Sequence, residues 1–213
     1  MKNLHHLRRQ YDHASLDLKD LSRDPITQFH KWFKAALASS LLDPHAMTLS
    51  TATKNGRPSS RMVLLKSFDH KGFVFFSNYS SRKGKELQSN PWAALNFYWD
   101  KLDRQVTITG RVSKISKRES FDYFRKRPLE SQLAAWASAQ SSILPSRAAL
   151  EERVDYYRMK FKGKSIPLPP HWGGYCLAPI SIEFWQGRPS RLNDRLLYSR
   201  SSTDHWEIQR LAP

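Results

Sequence analysis

Cysteine is nearly absent from this chain: Cys176 is the only one among 213 residues. An internal disulfide is excluded, and so is a metal site built on several thiolates. This suits a reducing cytoplasm. Long apolar runs are missing too, and none approaches the roughly 18 residues needed to span a bilayer as a helix. The N-terminal MKNLHHLRRQYDHASLDL lacks an apolar core segment and does not read as a secretory signal. Arg8, Arg9 and the histidines lend it a transit-peptide character, which Asp12, Asp17 and Asp20 oppose. No internal repeat and no low-complexity stretch is visible. Acidic residues are scarce as well. Nineteen Asp and Glu face 35 Lys and Arg, for a formal net charge of +16. That imbalance favours anionic partners: phosphorylated metabolites, nucleic acid or acidic membranes. The positive charges are spread along the chain rather than gathered in a tail, as a solvated basic surface would also have them.

What is present is ordinary for a globular chain: 39% hydrophobic and 25% charged residues. Residues 1–23 are polar and aperiodic and are expected to be a mobile segment that can act as an active-site lid. Residues 24–213 read as one domain. Asp24 suits a helix N-cap and Pro25 the first helical position. Ile26, Phe29, Trp32, Phe33, Ala36 and Leu37 then repeat at helical spacing, and Asp43-Pro44 is expected to end the helix. Strands follow. AMTLSTAT (46–53) runs into Asn55-Gly56, a strong hairpin signal. PSSRMVLLKSF, a turn at Asp69–Gly72 and FVFFSN continue an antiparallel meander. A short serine-capped helix is expected over 80–90, and WAALNFYW and RQVTITGRVSKIS are two more strands. Helices are expected at 117–127, stopped by Pro128, at about 129–138 and at 147–161. SIPLPP is an extended linker. Strands at about 175–186, 195–200 and 205–211 close the chain. So many antiparallel strands in a chain of this length suggest a closed or nearly closed barrel, which leaves few exposed edges.

Four segments carry chemistry. In RMVLLK (61–66), Arg61, Val63 and Leu65 share one strand face and Met62, Leu64 and Lys66 the other. An edge strand with solvated ends would look the same. In SNYSSRKGKEL (77–87), Arg82 and Lys83 sit at a helix start, where positive charge opposes the helix dipole; a bound phosphate would remove the conflict. In FDYFRKRPLESQ (121–132), Tyr123, Arg127 and Ser131 recur every four residues, and three donors at that spacing can hold a second phosphate. An ordinary basic helix is the alternative. In EFWQGRPSRLNDR (183–195), Trp185 can pack on a flat ring, while Arg191 and Arg195 can stack or fork onto anions. Trp185 also suits a plain core. No His, Cys and carboxylate cluster offers a metal site.

Taken together, RMVLLK, SNYSSRKGKEL, the Ala139-Gln140-Ser141 triplet, WQGRPSRL and the closing RLAP resemble the pyridoxamine 5′-phosphate oxidase family, in family order, over roughly residues 5 to 213. The resemblance implies a mainly β, helix-flanked (α+β) FMN-binding split β-barrel of antiparallel Greek-key type. It implies a homodimer with FMN in the subunit interface. Its FMN positions fall on Arg61, Met62, Val63, Leu64, Leu65, Lys66, Phe76, Ser77, Arg82, Lys83, Gln105, Gln140, Ser141, Trp185 and Arg195. Its substrate positions fall on Lys66, Tyr123, Arg127, Ser131, Arg191 and Asn193. Of these, Lys66, Tyr123, Arg127 and Ser131 would hold the substrate phosphate, while Arg8 and Tyr11 would close over the pyridine. Asp43 is a further pocket candidate. Arg191 and Asn193 are the catalytic candidates.

Two departures stand out. Asn193 replaces the family's usual His, and Phe76-Ser77 replaces a Tyr-Thr pair. The implied reaction oxidises pyridoxamine or pyridoxine 5′-phosphate to pyridoxal 5′-phosphate. O2 is reduced to hydrogen peroxide, and the flavin supplies the difficult chemistry. No nucleic-acid or membrane partner is implied. Two alternatives remain: a non-catalytic flavin- or B6-phosphate-binding protein of the same fold, kept open by Asn193, and a basic nucleic-acid-binding protein, suggested by the +16 charge.

Overall fold

Asp24 caps the first helix as expected. Its side chain accepts the Thr27 N–H at 2.7 Å, and Pro25 opens α1 (Pro25–Ala38). The computed structural model describes residues 3, 5, 9–12, 14–201, 203 and 205–213. The strands are β1 (Ala46–Ala52), β2 (Pro58–Leu64), β3 (Ser67–Asp69), β4 (Gly72–Asn78), β5 (Trp92–Trp99), β6 (Arg104–Lys114), β7 (Trp172–Gln186), β8 (Asp194–Arg200) and β9 (Trp206–Leu211). The remaining helices are α2 (Arg82–Ser89), α3 (Lys117–Phe124), α4 (Leu129–Ala137) and α5 (Arg147–Lys160). The strands hydrogen-bond in the order β2-β1-β5-β6-β7-β4-β3, with β8 on β7 and β9 on β8.

Three boundaries differ from expectation. The first helix stops at Ala38, not at Asp43-Pro44. Ser39 turns to an extended backbone, and its hydroxyl donates to the Ala36 carbonyl at 2.7 Å, a local bond that competes with another helical turn. α3 stops at Phe124 rather than running to Pro128. Lys126 and Arg127 form tighter turns, their N–H groups donating to Tyr123 and Phe124, because proline disfavours helical backbone in the residue before it. The strand expected over 58–68 divides into β2 and β3 at Leu65-Lys66.

The chain forms two compact units. One comprises Met1–Leu49, Ala94–Gly110 and Pro179–Pro213. Its core is aromatic: Phe29 lies 5.3 Å from Phe97, Trp32 is edge-on to Phe184 at 5.1 Å, and Phe184 meets Tyr198 at 5.5 Å. The alternation read in β6 holds, with Val106 and Ile108 buried and Gln105, Thr107 and Thr109 half-buried. β7 pairs with β8 here, Trp185 opposite Arg195, and β8 with β9.

The other unit comprises Ser50–Ala93 and Arg111–Ala178. Gly56, at φ +83°, makes the predicted β1–β2 turn. β4 pairs antiparallel with β7, setting Phe76, Ser77 and Asn78 opposite Gly174, Gly173 and Trp172. Phe124, Leu133, Ile166 and Trp172 form a second core, with Phe76, Tyr123 and Trp136 packed against it.

Candidate active site

The unit holding β2, β4 and α2–α4 contains an open cavity of about 650 Å³. The β2 end contributes Met62, Val63, Leu64 and, just beyond it, Lys66; β4 contributes Phe76 and Ser77. Lys83 comes from α2, Tyr123 from α3, Arg127 from the following turn and Ser131 from the first turn of α4. The break after Phe124 therefore does not scatter Tyr123, Arg127 and Ser131, which line one cavity. The ring of Tyr123 stacks on Phe76 at 3.9 Å and lies parallel to Trp172 at 6.2 Å, which fixes its plane. Arg127 rests on Trp172 at 4.7 Å, and its buried Nη1 hydrogen-bonds to no described atom. Burial pushes the Arg127 guanidinium down from its ordinary range, against the Tyr123 oxygen, which raises it. Lys66, Lys83, Lys126 and Arg127 line this cavity, and none of its described lining residues is Asp or Glu. Such a space selects an anion.

Lys83 is 8% exposed and donates to Gln140 Oε1 at 2.9 Å. Burial lowers its pKa, and the Arg61 charge adds to that; Glu86 opposes both. Sequence reasoning missed Glu86, although its place four residues after Arg82 on a helix was a visible ion-pair spacing. Ser59, Thr51 and Arg82 donate to its carboxylate at 2.6, 2.5 and 2.9 Å, and Arg61 lies 3.5 Å away. Burial acts to raise its pKa, but those bonds and the Arg61 charge prevail and hold it at about 2.

The other unit has a cavity of about 680 Å³ lined by Arg9, Gln10, Tyr11, Trp185, Arg188, Ser190, Arg191 and Asn193. Tyr11 sits edge-on to Trp185 at 5.7 Å, and a Cβ on Gly187 would lie 2.7 Å from the Tyr11 ring. Arg9 donates to Asp103, which is 1% exposed, and so ties this N-terminal stretch to the β5–β6 turn. Neither Arg9 nor Asp103 was singled out from sequence. Ser190 and Arg191 both have left-handed backbones, at φ +55° and +62°, in the connection between β7 and β8. The Arg188 N–H donates to Asn193 Oδ1 at 3.0 Å, so the amide NH2 of Asn193 is left as its donor face.

Other predicted positions lie apart from these walls. Leu65, just past the end of β2, is buried, while Arg82 is exposed and paired with Glu86. Ser141 takes a left-handed backbone at φ +72°. Gln105 is half-buried on β6, and Arg195 forks onto Glu183 at 2.7 and 3.2 Å. Asp43 is exposed between α1 and β1 and lines neither cavity. Arg8 lies outside the described residues.

Residues 33–161 match the family model described as pyridoxamine 5′-phosphate oxidase. The chain belongs to the pyridoxamine 5′-phosphate oxidase family. It is an enzyme of the oxidoreductase class. Residues 172–213 match a second model, the pyridoxine 5′-phosphate oxidase C-terminal dimerisation region. Pyridoxine/pyridoxamine 5′-phosphate oxidases of Burkholderia mallei and Burkholderia thailandensis are each 55% identical over all of both chains. PhzG of Burkholderia lata, solved with tetrahydrophenazine-1-carboxylic acid, superposes with a TM-score of 0.86 at 33% identity, covering 92% of this chain and 95% of that one. A pyridoxamine 5′-phosphate oxidase-related FMN-binding protein of Nostoc punctiforme shares the fold, with a TM-score of 0.72 at 19% identity over 91% and 100% of the two chains. The fold is thus the helix-flanked, mainly antiparallel split-barrel class expected from the family's motifs. Among the described residues, no helix is long and apolar enough to cross a membrane, and no three His, Cys, Asp or Glu side chains gather as metal ligands.

Proposed function

We propose that this chain is an FMN-dependent oxidase that converts pyridoxamine or pyridoxine 5′-phosphate to pyridoxal 5′-phosphate, with O2 as acceptor and hydrogen peroxide as product; the amine substrate also takes up water and releases ammonia. It would act as a cytoplasmic homodimer in B6 salvage. The observation that carries this reading is the cationic cavity in which Arg127 keeps a buried nitrogen without a partner. A substrate phosphate there completes that hydrogen bond and neutralises Lys66 and Arg127, with Tyr123 and Ser131 donating further. FMN fits the residues present as well. Arg61, Arg82 and Lys83 gather at the start of α2 and suit its phosphate, while Ser77 and Gln140 offer polar contacts beside them.

FMN, when bound, supplies the two-electron acceptor. The chain's own part is to bind and orient. The phosphate cup fixes one end of the substrate, and the aromatic stack of Phe76, Tyr123 and Trp172 keeps that cup rigid. In the second cavity, Arg191, the Asn193 amide and Tyr11 are the groups suited to a pyridine ring. The deciding experiment is turnover by the purified protein. Pyridoxal 5′-phosphate and peroxide should form in equal amounts from pyridoxamine 5′-phosphate, with a yellow, dimeric protein by light scattering. Flavin binding without turnover would leave the non-catalytic reading.

Asn193 gives a sharper expectation. Its oxygen accepts the Arg188 N–H, and its NH2 is the group left to donate toward a ligand. A His there could donate as well and could also ionise. Arg191 already brings a fixed charge to the same cavity wall. Asn193→His should therefore change kcat by less than about tenfold between pH 6 and 9, well below the roughly 10²–10⁴ of a lost acid–base group. A gain above about a hundredfold would show that proton transfer at this position matters.

A further inference from the structure

We propose that Glu86 is a positioning residue for the flavin phosphate: a buried carboxylate that aims Arg61 and Arg82 and so sets the preference for FMN over riboflavin. The inference rests on the reading that the cations at the start of α2 hold that phosphate. Glu86 is 5% exposed and lies one turn into α2. Oε2 accepts from the Thr51 and Ser59 hydroxyls, and Oε1 accepts from Arg82 Nε. Both oxygens are thus held, and the carboxylate cannot swing out.

From this fixed point two guanidinium groups are oriented. Arg61 Nη2 lies 3.5 Å from Oε2 and also donates to Ser59, while its Nη1 donates to Thr51 at 2.6 Å. The hydroxyls that brace Glu86 therefore brace Arg61 too. Arg82 is different: its side chain is 63% exposed, and only its Nε is spent on Glu86. The pair holds an otherwise mobile side chain with its outer nitrogens available to an acceptor. An arginine pre-set in this way loses less freedom when it binds a phosphate.

Removing Glu86 has two opposed effects. One negative charge fewer strengthens attraction for a phosphate, but Arg82 is exposed and screened, so that gain is only about a few-fold. Loss of aim weakens two charge-assisted contacts, each contributing about ten- to hundredfold to an equilibrium constant. Positioning prevails.

The test is flavin-fluorescence quenching on flavin-stripped full-length protein, titrated with FMN and separately with riboflavin. Glu86→Gln, which keeps shape and removes charge, should weaken FMN by about ten- to hundredfold and leave riboflavin within about threefold. Ser59→Ala, which removes one brace only, should show a smaller loss confined to FMN. Equal losses for both flavins in either variant would make Glu86 a structural residue and overturn the proposal. Unchanged or tighter FMN binding in Glu86→Gln would overturn it as well. If Glu86→Gln does not fold, Ser59→Ala alone decides. A parent protein that binds riboflavin as tightly as FMN would instead sink the phosphate reading, and the proposal with it.

Discussion

Arg127→Ala should raise KM for pyridoxamine 5′-phosphate by about ten- to hundredfold and leave the bound flavin in place. Each charge-assisted hydrogen bond contributes about 1.5–3 kcal/mol, and 1.4 kcal/mol is a factor of ten. The guanidinium lies over Trp172 with Nη1 buried and unpaired, so a phosphate arriving there meets a donor already stripped of water. Little else should move. Tyr123 is held by its stack on Phe76 rather than by Arg127, and Lys83 is held by Gln140. The lost cation–π contact costs about 0.5–1 kcal/mol of stability, a minor shift in melting temperature. Arg127→Lys keeps the charge but loses the planar fork, so its KM should fall between those of parent and alanine variant. Steady-state kinetics with flavin content measured in parallel would settle the assignment. A variant that loses flavin while KM is unchanged would mean the two anion sites are assigned the wrong way round.

Gly84→Ala should cost both stability and flavin. A Cβ at Gly84 would stand 2.1 Å from the Tyr79 carbonyl oxygen, 2.6 Å from its carbon and 2.9 Å from the Asn78 oxygen. All three are backbone atoms, so no side chain can rotate away. Alanine favours a helix over glycine by about 1 kcal/mol, which works in the opposite direction. Overpacking typically costs about 1–3 kcal/mol and more where the neighbour is rigid, so the clash wins. The net loss should be roughly 2 kcal/mol, or about 4–8 °C for a chain of this size. The damage would be focused, because Ser81 caps α2 through the Gly84 N–H at 3.3 Å and Lys83 is the adjacent residue. FMN affinity should fall by more than about tenfold, as expected for a displaced charge-assisted contact. Gly163→Ala is the control: nothing lies within 4 Å, and only its φ of +70° opposes alanine. Calorimetry and flavin titration of the two variants should separate them clearly. Parental values in Gly84→Ala would show that α2 can yield.

Much of the architecture was legible because it follows from local rules. Asp24-Pro25 starts α1, Asn55-Gly56 turns the first hairpin, Ser81 caps α2, and the alternation of β6 holds. The family motifs then named the right fold class. Boundaries were read less well. Ser39 ended α1 about five residues before the proline that was expected to do so, because a serine hydroxyl beside its own carbonyls competes with the next helical turn.

The candidate site divides along the same line. The sequence by itself determined which residue types are available: the RMVLLK strand, the serine-capped Arg82-Lys83 pair, the Tyr123, Arg127 and Ser131 spacing, and the Trp185–Arg195 segment. Tertiary structure decided what each of them faces. Only pairing of β4 with β7 brings Phe76 to Trp172, and so fixes the Tyr123 ring. Glu86 reads as a surface helix residue until β1 and β2 place Thr51, Ser59 and Arg61 around it. Arg9 finds Asp103 across 94 residues of chain, and the Arg188 N–H fixes which end of the Asn193 amide is the donor. Hydrophobic period, caps and turns act over a few residues and can be read in order along a chain. A hydrogen bond or ion pair between distant residues depends on strand register and on water being excluded, and neither is encoded at any single position.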